Sequence, residues 1–151
     1  MAIPRYRYAQ KKKRKGGRFQ RGFYQVVNES KYIQPVDRTM NSGLLPEYRS
    51  SWEKAFMKYC DHSEKIKTWG TEPFAIKYVS PKDNAVHRYY VDFVLLMKDG
   101  SKHLIEIKPK SQCQMPVNLA KWEAAEMYCK QIGAQFSVVT EVHLKKWGLI
   151  K

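Results

Sequence analysis

The chain has 151 residues and a formal net charge of +14, with 28 lysines and arginines against 14 acidic residues. This length favours a single domain that buries its core without needing a disulfide or a structural metal. The three cysteines are odd in number and lack CxxC spacing, so they predict free thiols in a reducing compartment. No apolar run approaches the roughly 20 residues of a membrane span, and the basic N-terminus has no apolar signal-peptide core. We therefore expect an intracellular protein without a membrane segment.

Basic charge is concentrated at the N-terminus, where the first 22 residues hold nine lysines and arginines and no acid. Like charges repel, and little apolar surface offsets the entropy of ordering, so we predict a flexible arm over residues 1–28 and a folded domain over 29–151. Aromatic rings between the charges favour nucleic-acid binding, with a solvated tail or a nuclear-import signal as the alternatives. The arm residues predicted to bind DNA are Lys11, Lys12, Lys13, Arg14, Lys15, Arg18 and Arg21.

The first regular element follows an irregular approach over residues 29–49. In SSWEKAFMKYCD, apolar residues fall at helical spacing and predict a helix of about ten residues. Alternation over 74–78 then predicts a first strand, and 87–97 predicts a second. A turn at Asp99-Gly100 leads into a third strand over 102–108, which Pro109 ends because it has no N–H for the ladder.

The C-terminal third predicts a helix and one more strand. Pro116 precedes a helix of about 14 residues, and Gly133 is placed as its C-terminal cap. Residues 135–140 then read as a short buried strand. The order αβββαβ predicts an α/β fold in which an antiparallel meander is joined, through a helical crossover, to a parallel strand of the same mixed sheet.

Charged residues interrupt the apolar pattern of the second and third strands. Asp92 lies in the second strand, and Glu106 and Lys108 lie two residues apart in the third. Side chains alternate along a strand, so Glu106 and Lys108 share a face of the sheet. An exposed face on which the three residues form a weak cross-strand ion pair explains them without any function. A shared catalytic site is the alternative, and it depends on the turn.

The length of the turn decides whether the two acids meet. A two-residue loop at Asp99-Gly100 places Asp92 opposite Ile107 and sends the two acids to opposite faces. A three-residue loop over 98–100, with its glycine in a left-handed conformation, instead places Asp92 opposite Glu106. The Cβ atoms of directly opposed residues lie about 5 Å apart. A shared site therefore requires the three-residue loop or a bulge elsewhere.

Two carboxylates at that distance repel, which raises the pKa of one of them unless a cation lies between them. Mg²⁺ takes oxygen ligands and suits one or two carboxylates together with phosphate oxygens. We therefore predict Mg²⁺, with Mn²⁺ as a substitute, bound by Asp92 and Glu106. Lys108, on the same face, is predicted to activate water and to offset charge in the transition state of phosphodiester hydrolysis.

Glu53 is a third candidate acid. Ser50, three residues earlier, predicts a capping box that explains the glutamate without any further function. Yet Glu53 lies about 20° around the helix from Cys60, at the edge of the apolar stripe, from which its carboxylate can reach the strand acids. We predict Glu53 as a catalytic acid and metal ligand, with capping as the alternative. No glycine-rich phosphate loop occurs, so we predict no nucleotide cofactor.

Together, Glu53, Asp92, Glu106 and Lys108 resemble the PD-(D/E)xK, or restriction-endonuclease-like, superfamily, whose αβββαβ core matches the predicted order. The stretches YRSSWEKAF, TEPFAIKY, YYVDFVLL and IEIK resemble its transposase-associated endonuclease branch. From AIPRYRYAQKKKRKGGRFQRG onward, the sequence is similar to the head completion nucleases of T-even-type tailed phages. One departure is Val91, where the superfamily motif has a proline.

The resemblance implies a metal-dependent nuclease that cleaves DNA in head completion and head–tail joining, here a Mg²⁺-dependent endo- or exodeoxyribonuclease. Low sequence specificity is expected because the basic residues are clustered on a flexible arm suited to phosphate contact. It implies DNA and phage head, portal or head–tail connector proteins as partners, in the host cytoplasm or with the virion. By position, Asp92 and Glu106 become metal ligands, Lys108 the catalytic lysine and Glu53 the helix acid. Lys110, beyond Pro109, is predicted to bind a DNA phosphate.

Two other functions share these sequence features. A DNA-binding assembly protein without enzymatic activity would keep the arm and the fold but would tolerate the loss of Glu106. A repair or junction-resolving nuclease of the same fold would differ only in its preference for branched DNA.

Overall fold

The computed structural model describes residues 21–33 and 45–151. Its helices and strands, in chain order, are β1 (Gly22–Phe23), β2 (Glu47–Tyr48), α1 (Ser51–His62), β3 (Ile66–Thr71), β4 (Ala75–Val79), β5 (Val86–Tyr90), β6 (Phe93–Met97), β7 (Lys102–Ile107), α2 (Pro116–Ile132), β8 (Gln135–Val139) and α3 (Glu141–Lys146). Single 3-10 turns occur at Glu29–Lys31 and Lys110–Gln112. Within these described ranges, no helix is both long and apolar enough to cross a membrane.

A four-stranded mixed sheet in the order β3-β6-β7-β8 forms the centre of the fold. Strands β3, β6 and β7 are antiparallel neighbours, whereas β8 runs parallel to β7 after the crossover through α2. The sequence of elements α1-β3-β6-β7-α2-β8 is the αβββαβ order expected from the sequence. Gly133 ends α2 with φ +69, a left-handed cap that confirms the predicted boundary.

The identity of the first two strands of this sheet was predicted wrongly. Residues 75–79 and 86–90 pair with each other as a separate hairpin, β4-β5, inserted between β3 and β6. The predicted second strand therefore breaks at Val91-Asp92, and only its second half joins the central sheet. The first central strand is β3, which was not predicted because the sequence IKTWGT does not alternate polar and apolar residues.

Each face of the central sheet is covered by helices. Helix α1 packs Phe56, Met57 and Cys60 on one face, in a cluster that also contains Trp69 and Leu144. Helix α2 packs on the other face together with the β4-β5 hairpin. That second cluster contains Ile76, Tyr78, Tyr89, Leu104, Trp122, Ala125 and Cys129. The hairpin therefore lies on the same side of the sheet as the even-numbered residues of β7, including Glu106.

Residues 21–33 pack against the end of α1 and the edge of β3. The carboxylate of Asp61 accepts hydrogen bonds from the Tyr24 hydroxyl at 2.7 Å and from the backbone N–H groups of Val27 and Asn28 at 2.8 and 2.9 Å. The ring of Tyr32 packs on Trp69, with ring centroids 4.8 Å apart. Packing thus begins before residue 29. The domain boundary at 28 stays a prediction, and the arm up to residue 20 lies outside the described residues.

Candidate active site

The turn between β6 and β7 has the three-residue loop that a shared site requires. The N–H of Met97 donates to the carbonyl of Ser101 at 2.8 Å, and the N–H of Gly100 donates to Met97 at 3.0 Å. Gly100 has φ +90, a left-handed conformation that glycine adopts without steric cost. The ladder runs from Leu96 opposite Lys102 to 93 opposite 105. This register confirms the three-residue alternative.

The same register carries Asp92 and Glu106 to opposed positions, one step beyond the last pair of the ladder. A carboxylate oxygen of Asp92 accepts the N–H of Ile107 at 2.9 Å, which fixes the aspartate against β7. Glu106 is 6% exposed, and its Oε2 accepts the hydroxyl of Tyr89 at 2.8 Å. The break in the predicted second strand therefore frees Asp92 from the ladder and turns its carboxylate toward the end of β7.

Lys108 extends beyond β7 beside Glu106. Its backbone N–H donates to the carbonyl of Val139 at 3.0 Å, which continues the parallel pairing with β8 past the end of the strand. Its Nζ lies 3.7 Å from Oε1 of Glu106, and a quarter of the side chain is exposed. The two oxygens of Glu106 thus face a hydroxyl on one side and an ammonium on the other.

Glu53 forms only half of the predicted capping box, and its side chain reaches the site. The Ser50 hydroxyl accepts the N–H of Glu53 at 3.1 Å, which confirms the N-cap. The carboxylate of Glu53 does not close the box on Ser50, because its Oε2 accepts the N–H of Arg49 at 2.8 Å. That carboxylate lines a cleft. The other lining residues are Glu47, Arg49, Met57, Thr71, Glu72, Asp92 and Phe93.

The three predicted acids interact electrostatically. Burial, followed by the charges of Glu106 and Glu53, raises the pKa of Asp92 well above its ordinary value. Burial also raises the pKa of Glu106, although Lys108 and the Tyr89 hydroxyl act in the opposite direction. For Glu53, burial again raises the pKa against the N–H and charge of Arg49. Three desolvated carboxyl groups therefore share a region in which their ionised forms repel.

The donor set fits a hard divalent cation, because ionised carboxylate oxygens that repel one another are stabilised by a cation between them. Asp92 and Glu106 are opposed across the end of the sheet, and Glu53 reaches the cleft that Asp92 lines. Over residues 21–33 and 45–151, no three His, Cys, Asp or Glu side chains form a ready-made metal cluster. The metal-binding roles of the three acids therefore stay predictions.

Three residues of the site were not predicted from the sequence. Arg49 forms an ion pair through Nη2 with Oε1 of Glu72, and Tyr89 holds Glu106. Glu72 has φ +45 and donates its N–H to the carbonyl of Asp92 at 3.0 Å. Although burial acts to lower it, the pKa of Arg49 is raised by Glu72, Glu53 and Asp92. The only local signal was the acid before a proline in TEPF.

The predicted DNA-binding residues are distributed differently. Arg21 is exposed, and Lys110 is exposed in a 3-10 turn whose first N–H donates to Oε2 of Glu141 at 2.9 Å. The arm residues Lys11, Lys12, Lys13, Arg14, Lys15 and Arg18 lie outside the described residues. Contact of these side chains with DNA stays a prediction.

Comparison with known proteins assigns the family. Residues 63–141 match the family described as TnsA-like endonuclease N terminal, a segment that contains Asp92, Glu106 and Lys108 and begins after Glu53. The chain is also similar to the head completion nuclease of Enterobacteria phage T4. That relative is 31% identical over an alignment of 123 residues, which covers 67% of this chain and 82% of the relative. Both matches confirm the resemblance stated above. The chain belongs to the TnsA-like endonuclease family and has the restriction-endonuclease-like fold.

Proposed function

We propose that this protein is a Mg²⁺-dependent DNA nuclease of low sequence specificity that acts in phage head completion and head–tail joining. The observation that carries the proposal is the opposition of Asp92 and Glu106 at the end of the sheet, with Lys108 Nζ 3.7 Å from Glu106. The family match supports nuclease chemistry. The printed function of the phage T4 relative supports the place in virion assembly.

The acids and the lysine divide the work of hydrolysis. Asp92 and Glu106, with Glu53 from α1, would hold the cation near the scissile phosphate. When bound, Mg²⁺ supplies positive charge at that phosphate and lowers the pKa of a water molecule. Lys108 is partly exposed beside Glu106, so its ammonium can donate a hydrogen bond to a phosphate oxygen or orient the attacking water. Tyr89 holds the remaining oxygen of Glu106 in place.

Low specificity follows from the kind of contact that the basic residues offer. Lysines and arginines of an N-terminal arm, and the exposed Lys110 two residues beyond Lys108, suit phosphate contact, which fixes position without reading sequence. Mn²⁺ is expected to replace Mg²⁺, because it accepts the same carboxylate ligands. Phage head, portal or head–tail connector proteins are the proposed partners, in the host cytoplasm or with the virion.

Plasmid cleavage tests the proposal directly. We expect the wild type to cleave supercoiled and linear DNA only with a divalent cation, and Asp92→Asn, Glu106→Gln and Lys108→Ala to lose at least about 100-fold in rate. Glu123→Gln, which changes an exposed acid on α2, is the matched control and should retain wild-type activity. Wild-type rates in Asp92→Asn or Glu106→Gln would contradict the assigned site.

The same assay separates the other functions. A wild type that binds DNA but shows no cleavage with Mg²⁺ or Mn²⁺ would favour the non-enzymatic assembly protein. Preferential cleavage of a four-way junction over a linear duplex of the same sequence would favour a junction-resolving nuclease.

A further inference from the structure

The positively charged side chain of Arg49 lies among the acids of the cleft and has no part in the mechanism described above. Arg49 lines the cleft beside Glu53, Glu72 and Asp92. Its Nη2 pairs with Glu72, and 30% of the arginine side chain is exposed against 9% for the glutamate. The arginine is thus held by a buried acid while part of it remains accessible.

Glu72 is fixed in an uncommon backbone conformation. Its φ of +45 is left-handed, which costs free energy for any residue with a Cβ. The N–H of Glu72 donates to the carbonyl of Asp92 at 3.0 Å, and Pro73 follows directly. Such conformations persist where the surrounding structure holds them, and they cluster at ligand-binding sites. The side chain that holds Arg49 is therefore anchored on the backbone of a proposed metal ligand.

Arg49 is anchored on the helix acid in turn, because its backbone N–H donates to Oε2 of Glu53 at 2.8 Å. The ion pair between Arg49 and Glu72 thus connects a residue bonded to Glu53 with a residue bonded to Asp92. An ion pair on an exposed surface contributes little to stability and needs no such hydrogen bonds to hold its partners. The position of the guanidinium is consequently defined relative to both acids.

A guanidinium in this position suits a phosphate group. It carries five N–H donors in a planar fork that matches phosphate oxygens, and it stays charged at any working pH. A phosphodiester brought to Asp92 and Glu106 adds negative charge to a cleft that already holds several acids, so a fixed cation lowers the energy of the bound state. We infer that Arg49 contacts the scissile phosphate of bound DNA and that Glu72 is the residue that positions it. The inference rests on the proposed nuclease function.

Single-turnover cleavage at saturating DNA and Mg²⁺ tests this role. We expect Arg49→Gln to lower the rate by about 100-fold, the usual effect of removing one preorganised donor. Arg49→Lys should lose about 10-fold, because it keeps the charge without the fork. Glu72→Gln should also lose less than Arg49→Gln, because the arginine remains but is held less firmly. Lys58→Gln removes an exposed charge from α1, the helix that follows Arg49, and should leave the rate unchanged.

DNA binding with Ca²⁺ in place of Mg²⁺ tests the phosphate contact without cleavage. The slope of log K against log salt concentration should become shallower by about 0.9 in Arg49→Gln, as expected for one lost phosphate contact. A wild type that binds DNA but does not cleave it would overturn the proposed function, while this slope would still decide the contact made by Arg49.

A purely structural role of the pair predicts a different pattern. Arg49→Gln and Glu72→Gln would then lose equal activity at saturating Mg²⁺. That pattern, or an unchanged salt slope in Arg49→Gln with a wild-type Tm, overturns the inference. If Arg49→Gln fails to fold, Arg49→Lys decides the matter, and a wild-type cleavage rate in that variant contradicts the phosphate contact.

Discussion

The hydroxyl of Tyr89 isolates what the inserted hairpin contributes to the site. Tyr89→Phe keeps a ring that is 4% exposed and removes only the donor that lies 2.8 Å from Glu106. A buried hydrogen bond from a neutral hydroxyl to a carboxyl group contributes about 1.5 kcal/mol to stability, the value at which the ranges for neutral and for charged partners meet. At about 2–4 °C per kcal/mol for a domain of this size, we expect Tm to fall by about 3–6 °C.

The same substitution has a defined effect on protonation. Burial raises the pKa of Glu106, and the hydrogen bond from Tyr89 opposes that rise by stabilising the carboxylate. Without the donor, the pKa rises further, so the ionised form that binds a cation is reached only at higher pH. We expect the acid limb of the cleavage–pH profile to move to higher pH. The half-saturating Mg²⁺ concentration should increase by about 10-fold.

Plasmid cleavage across pH and Mg²⁺ concentration, together with thermal unfolding, measures both effects. Tyr78→Phe is the matched control, because Tyr78 is a buried tyrosine of the same hairpin whose ring packs beside His87. It should leave the pH profile unchanged. A Tyr89→Phe protein with the wild-type pH profile and Mg²⁺ dependence would refute the idea that the hairpin orients Glu106.

Three further predictions concern the acids, the turn and the arm. Burial, followed by the charges of Glu106 and Glu53, raises the pKa of Asp92 in the folded protein. Protonation of Asp92 therefore stabilises the fold fully below the unfolded pKa, about 3.9, and this contribution is lost as pH rises through the folded pKa. Asp92→Asn should therefore have a higher Tm than the wild type at pH 7 without metal and should lose the increase that Mg²⁺ gives, so equal responses to Mg²⁺ would contradict this. Gly100→Ala, at φ +90 with open space around a new Cβ, should lower the free energy of unfolding in urea by about 1–2 kcal/mol, and Gly100→Asn by less. Deleting residues 1–22 should flatten the salt dependence of DNA binding and leave the core folded, and an unchanged slope would exclude the arm from the interface.

Local signals in the sequence were sufficient for the elements that local geometry decides. The apolar stripe of α1 and the left-handed cap at Gly133 each follow from a few neighbouring residues. The sequence reduced the pairing of Asp92 with Glu106 to one question, the length of the turn, because that length sets the register of the whole hairpin. The structure answers it with the three-residue loop.

The remaining features depend on contacts between distant parts of the chain. Trp69 in β3 is covered by Tyr24 and Tyr32, which lie far earlier in the sequence, so the strand shows no alternation of its own. Residues 87–97 likewise have the composition of a strand in both halves. Which strand each half pairs with is set by tertiary contacts and not by the local sequence. Arg49 and Glu72 are 23 residues apart, and only the folded chain brings them together.

The hydrogen bonds of Asp61 give the N-terminal arm a fixed point of origin. Residues 24–28 are fastened at the end of α1 opposite to Glu53, and eight residues of helix separate the two acids by about 12 Å. Twenty residues span at most roughly 70 Å when fully extended. If the arm binds DNA as predicted, any phosphate it holds would be tethered within a bounded volume around the cleft, and the arm would raise the effective concentration of neighbouring phosphates at the site instead of adding an independent affinity.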